Sequence, residues 1–108
     1  MKKTAPDVST LQREGETVDD ILEGCLRIFQ KKRGYRFSID ALLLTHFVRL
    51  KKGDYIVDLG TGSGVIAVIM AKRWECGKVV GVDIQEELVD MAKRSVAINT
   101  LSDKVEIR

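Results

Sequence analysis

The chain is poor in the residues that would give it an easy label. Two cysteines, Cys25 and Cys76, stand far apart in no metal-ligand or redox spacing, and they read as buried free thiols. One histidine, His46, falls within a helical stretch with no visible partner and suggests no role. The single proline, Pro6, lies near the start. No apolar segment follows Lys2 and Lys3, so no secretory signal is expected, and a cytoplasmic location is the default. The longest unbroken apolar run, Val65 to Ala71, is far too short to span a bilayer. No internal repeat and no low-complexity segment occurs. A net charge of +2 is too weak to imply nucleic acid by itself. The excess is uneven: residues 1–54 hold eleven Lys/Arg against eight Asp/Glu, residues 55–108 seven against eight.

What is present is an ordinary globular composition, 44% hydrophobic and 31% charged over 108 residues, with one highly informative stretch. Tyr55-Ile56-Val57-Asp58 is an apolar strand ending in a carboxylate. Gly60, Gly62 and Gly64 then turn the chain into a helix from Val65. Roughly 20 residues on, Lys78-Val79-Val80-Gly81-Val82 ends in a second acid, Asp83. Strand, glycine loop, helix, strand, acid is the layout of a site for a ribose-bearing cofactor. A dinucleotide fingerprint needs its third glycine at position 65, where Val65 stands; here that glycine comes one residue early.

The resulting Asp-x-Gly-x-Gly-x-Gly resembles the first motif of the class I S-adenosylmethionine-dependent methyltransferases. The chemistry agrees. The cofactor has an amine that Asp58 can attract and a carboxylate suited to loop amides and a helix N-terminus. Its two ribose hydroxyls can each donate to one oxygen of Asp83. The expected cofactor-binding residues are therefore Asp58, Gly60, Thr61, Gly62, Gly64, Asp83 and the adjoining Ile84.

The expected fold is α/β, the first half of a Rossmann-like methyltransferase sheet: three parallel strands with crossover helices, preceded by a β-hairpin and a helix. Residues 1–10 read as a flexible leader, 11–54 as an N-terminal hairpin and helix cap, and 55–108 as a partial cofactor-binding domain. Thr17 and Asp20 have capping-box-like spacing for a short helical turn. Leu26 to Gln30 and Tyr35 to Phe37, around Lys31-Lys32-Arg33-Gly34, predict the hairpin. Ser38 predicts the cap of a helix over 39–50 with Asp40 in its first turn and Leu42, Leu43, Phe47 and Leu50 facing inward. Helices follow over 65–74 and 86–99, the second with Leu88, Met91, Ala92 and Val96 inward, and a third strand begins at Val105. Right-handed crossovers leave the Asp58 strand at the sheet margin, where such a sheet wants a second neighbour. The chain thus reads as the first part of a longer protein.

Gly34-Tyr35-Arg36-Phe37-Ser38-Ile39-Asp40-Ala41-Leu42-Leu43-Leu44, introduced by Leu26 to Gln30 and followed by Lys52-Gly53-Asp54, resembles the tRNA1(Val) adenine N6-methyltransferase family. The likeness covers roughly residues 11–108. It implies methyl transfer from S-adenosyl-L-methionine to the exocyclic N6 of an adenine, with tRNA as partner and no metal. It also implies that Tyr35, Arg36, Phe37, Ser38 and Asp40 lie near the cofactor, with Phe37 the best aromatic to cover it. The plainer alternative makes Tyr35 and Phe37 hairpin core and Ser38 only a cap. Lys31-Lys32-Arg33 could touch an RNA backbone or be a solvated turn. Such enzymes carry an Asn-Pro-Pro-Tyr or Asp-Pro-Pro-Tyr motif that holds the amine. Residues 1–108 contain none, so no catalytic residue is expected among them. Methyltransferases acting on release-factor glutamine or ribosomal-RNA guanine share the glycine loop, and a non-catalytic S-adenosylmethionine-binding module would need no clamp.

Overall fold

The computed structural model describes residues 5–34 and 36–108; Met1 to Thr4 and Tyr35, with the roles expected of them, lie outside the described residues. The elements in chain order are helix α1 (Val8–Leu11), strands β1 (Glu16–Ile21) and β2 (Leu26–Lys31), helix α2 (Ile39–Phe47), strand β3 (Tyr55–Leu59), helix α3 (Val65–Arg73), strand β4 (Lys78–Val82), helix α4 (Glu86–Ile98) and strand β5 (Val105–Ile107).

The three later strands form a parallel sheet in the order β3-β4-β5, with Asp58 beside Gly81 and Val80 beside Glu106. This is the expected half of a Rossmann-like sheet, with β3 at its margin. Strand alternation sends Ile56, Val79, Val105 and Ile107 into a core shared with α3 and α4. On the opposite face Tyr55, Val57 and Leu59 are exposed. Helix α3 is buried along Val65 and Ala67 to Ala71, as its apolar sequence predicts. Helix α4 buries the predicted stripe Leu88, Met91, Ala92 and Val96.

The N-terminal region differs from its reading in sequence. The hairpin is β1 with β2, antiparallel, Glu16 opposite Lys31 and Ile21 opposite Leu26. The described part of the expected second strand, Arg36 and Phe37, does not pair with β2; Arg36 to Ser38 carry no strand. Nor is there a helical turn at Thr17–Asp20. Thr17, Val18 and Ile21 are β-branched and favour a pleated, half-buried surface. The hairpin turn sits at Leu22-Glu23-Gly24, all three at positive φ. Cys25, adjoining that turn, is exposed rather than buried; Cys76 is buried. The leader expected over residues 1–10 gives way to α1 at Val8. Asp7 caps that short helix, accepting from the Ser9 amide, and Val8 and Leu11 pack beside Phe29, Leu88, Met91 and Ile98.

Helix α2 ends at Phe47, three residues earlier than expected, because Val48 is extended. Its inward face is Ala41, Leu42 and buried Thr45, whereas Leu43 and Phe47 are exposed. Among the described residues, no helix is long and apolar enough to cross a membrane.

Candidate functional site

Parallel strands β3 and β4 end at the same edge of the sheet, and this places Asp58 and Asp83 on either side of the glycine loop. Gly60, Gly62 and Gly64 have φ of +70°, +57° and +86°, values that L-residues with side chains rarely adopt. Thr61 is buried, its amide donating to Val82 O (2.9 Å) and its hydroxyl to Asp58 Oδ2 (2.8 Å). The Gly62 amide donates to Asp83 Oδ2 (2.9 Å), and the Gln85 amide to Asp83 Oδ1 (2.9 Å). The two acids are thereby fixed to one loop before any ligand arrives. Gly64 is required for contact as well as for φ. A Cβ there would stand 3.0 Å from the Ala92 methyl of α4.

Burial raises the pKa of the Asp58 carboxyl above its ordinary value; the Thr61 hydrogen bond opposes the rise and the Asp83 charge adds to it. A cation at this point would relieve both the burial and the like charge. Each Asp83 oxygen holds one backbone N–H and keeps a lone pair for a further donor.

The sequence reading missed Ser63. It is 1% exposed, and its hydroxyl oxygen has no hydrogen-bond partner among the described residues. The signal was a hydroxyl between the second and third glycines, where the chain must turn inward. Helix α3 starts at Gly64 without a side-chain cap. Around Gly60, by contrast, no atom lies within 4 Å of the place a Cβ would occupy. An uncapped helix start, open space over the first glycine and two acids fit a ligand with a carboxylate, an ammonium and vicinal hydroxyls. A cavity of about 320 Å³ opens beside Asp83, lined also by Glu86, Val89, Asp90, Lys93 and Arg108. No cluster of metal-ligating side chains occurs among the described residues.

Not every expected residue joins this constellation. Ile84 is 95% exposed next to Asp83, open to an apolar contact. Phe37 packs half-buried against the main core, and its amide donates to Gln30 Oε1 (2.9 Å). Arg36 is tied to the hairpin through Thr17, Lys31 O and Asp19. Ser38 precedes α2 with no side-chain cap hydrogen bond, its carbonyl accepting from the Ala41 amide (3.2 Å), and Asp40 is exposed in the first turn. Among the described residues, no hydrogen bond joins Ser38 or Asp40 to the glycine loop.

Fold and loop together place the chain among the class I, Rossmann-like methyltransferases. The profile of the family described as ribosomal protein L11 methyltransferase (PrmA) matches residues 24–108, most of the chain, and the chain belongs to that family. A ribosomal protein L11 methyltransferase of Pelobacter propionicus is 47% identical over 51 residues, 47% of this chain and 16% of that protein. A tRNA1(Val) (adenine(37)-N6)-methyltransferase of Vibrio campbellii is 30% identical over 74 residues, 68% of this chain and 31% of that protein. Among solved structures, a methyltransferase of Geobacter sulfurreducens in complex with S-adenosyl-L-homocysteine superposes with a TM-score of 0.56 at 25% identity. That match covers 63% of this chain and 27% of the other. The chain spans less than a third of the length of each of these proteins. The tRNA family read from the sequence is thus present among the relatives, while the matching profile is that of a protein methyltransferase.

Proposed function

We propose that the glycine loop binds S-adenosylmethionine and that the chain is the cofactor-binding part of a methyltransferase. Asp58 attracts the ammonium, an arrangement favoured because that carboxyl is buried beside a second acid. The first-turn amides of α3 suit the carboxylate. Asp83 accepts from the ribose hydroxyls, and exposed Ile84 offers an apolar surface to the base. The cofactor supplies a methyl group on a positively charged sulfur. The residues of this chain bind and orient, and catalysis by positioning is the kind such a site provides. The observation that carries the reading is the pair of strand-end acids joined to one glycine loop, Asp83 through the Gly62 amide and Asp58 through Thr61.

For the acceptor we favour the exocyclic N6 of an adenine in tRNA. The support is the Gly34–Leu44 block together with a tRNA-enzyme relative aligned over 74 residues, longer than the 51 of the L11 enzyme. A second reading, an amine of a ribosomal protein, is supported by the family profile over residues 24–108. The test has two arms. Asp83→Ala should weaken S-adenosylhomocysteine binding roughly 10- to 150-fold, the loss of about 1.5–3 kcal/mol from a hydrogen bond to a charged acceptor. Unchanged affinity by calorimetry would remove Asp83 from the site. In a protein of its relatives' length, labelled methyl should pass to tRNA adenine; label found only in ribosomal protein favours the second reading.

A further inference from the structure

At the other end of α3, one helix length from the glycine loop, a second cavity is lined by Thr45, His46, Arg49, Arg73 and Trp74. Its volume is about 260 Å³. The parallel β-α-β path puts the glycine loop and the last turn of α3 at opposite edges of the sheet, about 14 Å apart along nine helical residues. The cavity is therefore separate from the cofactor site.

Its lining is almost all donors. Arg73 reaches Thr45 Oγ1 at 3.4 Å and His46 Nε2 at 3.5 Å, both long contacts. Arg49 donates to His46 O at 3.0 Å. Neither arginine has a carboxylate within ion-pair distance among the described residues. The Trp74 indole nitrogen is buried and has no acceptor among the described residues, an arrangement that leaves a polar group unsatisfied. Thr45, 2% exposed, points its own hydroxyl proton at Leu42 O and turns an oxygen lone pair to Arg73.

A helix C-terminus normally repels anions. Here three of the carbonyls at that end are already engaged: Met70 O by the Trp74 amide, and Ala71 O and Trp74 O by Lys104 Nζ at 2.9 and 2.8 Å. Lys104 thus neutralises the dipole and adds a third positive charge to this end of the helix. The electrostatic balance of the cavity is cationic.

We propose that this cavity is an oxyanion site, and that its ligand is a phosphate group. Two guanidinium groups and an imidazole, from α2, the chain just beyond it and the last turn of α3, offer more N–H donors than the roughly four lone-pair sites of one carboxylate can take. A phosphate, with its four oxygens and, when free or terminal, a double charge, uses such a set, and arginine forks match it in pairs. The cavity exceeds several times the roughly 30 Å³ share of one water, which is room for a group of several heavy atoms.

Trp74 is the only tryptophan and His46 the only histidine, so each gives one resolved signal. Inorganic phosphate and a short oligoribonucleotide are titrated separately, with indole N–H and imidazole C–H resonances followed by NMR. Phosphate should move both resonances in saturable fashion, and Arg73→Gln should weaken that binding at least tenfold. Arg49→Gln, on the exposed rim, is the second variant should Arg73→Gln misfold, and should weaken it several-fold. S-adenosylhomocysteine affinity should stay unchanged in both, which separates this site from the glycine loop. Response to inorganic phosphate identifies a free phosphate ligand; response to the oligoribonucleotide alone identifies a backbone phosphate. Signals unmoved by either, or moved equally in both arginine variants, overturn the proposal.

Discussion

Helix α4 holds its two neighbours on different terms. Toward the glycine loop it presents a methyl, Ala92, so close to Gly64 that an added Cβ would stand only 3.0 Å from it. Toward the hairpin it adds polar groups to the apolar packing of Leu88, Met91 and Ile98 on Phe29. Arg94 binds both oxygens of Glu16 at 2.6 and 2.7 Å and lies 5.4 Å from the centre of the Phe29 ring. Ser95 Oγ accepts from the Phe29 amide, and Asn99 both accepts from the Arg27 amide and donates to Arg27 O. Those two side chains satisfy the edge of β2 that β1 does not cover, in place of a third strand. One contact is strained by an added atom; the other is weakened by a missing partner.

The comparison can be broken most forcefully on the hairpin side. Arg94→Met leaves the buried Glu16 carboxylate unpaired and should destabilise the protein by about 3–5 kcal/mol in denaturant titration. Adding Glu16→Leu should restore most of the loss, since a well-packed apolar pair replaces a buried ion pair at little net cost. A single-variant loss under about 1 kcal/mol would show that the ion pair is not what seats the hairpin.

On the loop side, Gly64→Ala should cost about 1–3 kcal/mol through overpacking and positive φ together. In an Ala92→Gly background the clash vanishes and the backbone penalty remains, so a double-mutant cycle separates the two. Zero coupling would mean that α3 and α4 do not meet at this contact.

The smallest effect is the sharpest in sign. Burial raises the pKa of Glu16, but hydrogen bonds from Arg94 and the Arg13 amide and the charges of both arginines outweigh it, leaving the group below its ordinary 4.5. Its stabilisation is present above pH 4.5 and is lost as pH falls through the lower folded value. Asp58, raised above 3.8 chiefly by burial, behaves oppositely: its contribution is present below pH 3.8 and is lost as pH rises through the folded value. Stability measured across acid pH should therefore respond with opposite slopes to Glu16→Gln and Asp58→Asn. Slopes of the same sign would remove the contrast.

This division also explains what could be read from the residues in order. The glycine loop, both acids, the marginal position of β3 and the inward stripe of α4 follow from local spacing, and all stand where the spacing puts them. The hairpin does not. Thr17 and Asp20 mimic a helix start, and Lys31 to Gly34 mimic a hairpin turn. The real turn at Leu22-Glu23-Gly24 puts two non-glycine residues at positive φ. What selects it is pairing with residues nearly eighty positions away, Glu16 with Arg94, which no local pattern contains. Ser63 escaped notice for a related reason: an orphaned hydroxyl is defined by its surroundings, not by its neighbours in the chain.

The central claim is that the glycine loop is the cofactor cradle, and Gly60→Val tests it most directly. The site has room for a Cβ, with nothing beyond the adjoining residues within 4 Å of it, but a β-branched residue resists φ of +70° and would fill the space left for a ligand. Calorimetric titration of S-adenosylhomocysteine, with circular dichroism to monitor the fold, should show wild-type binding and none in a variant whose helix content is intact. A folded Gly60→Val protein that binds S-adenosylhomocysteine as tightly as the wild type would contradict the account.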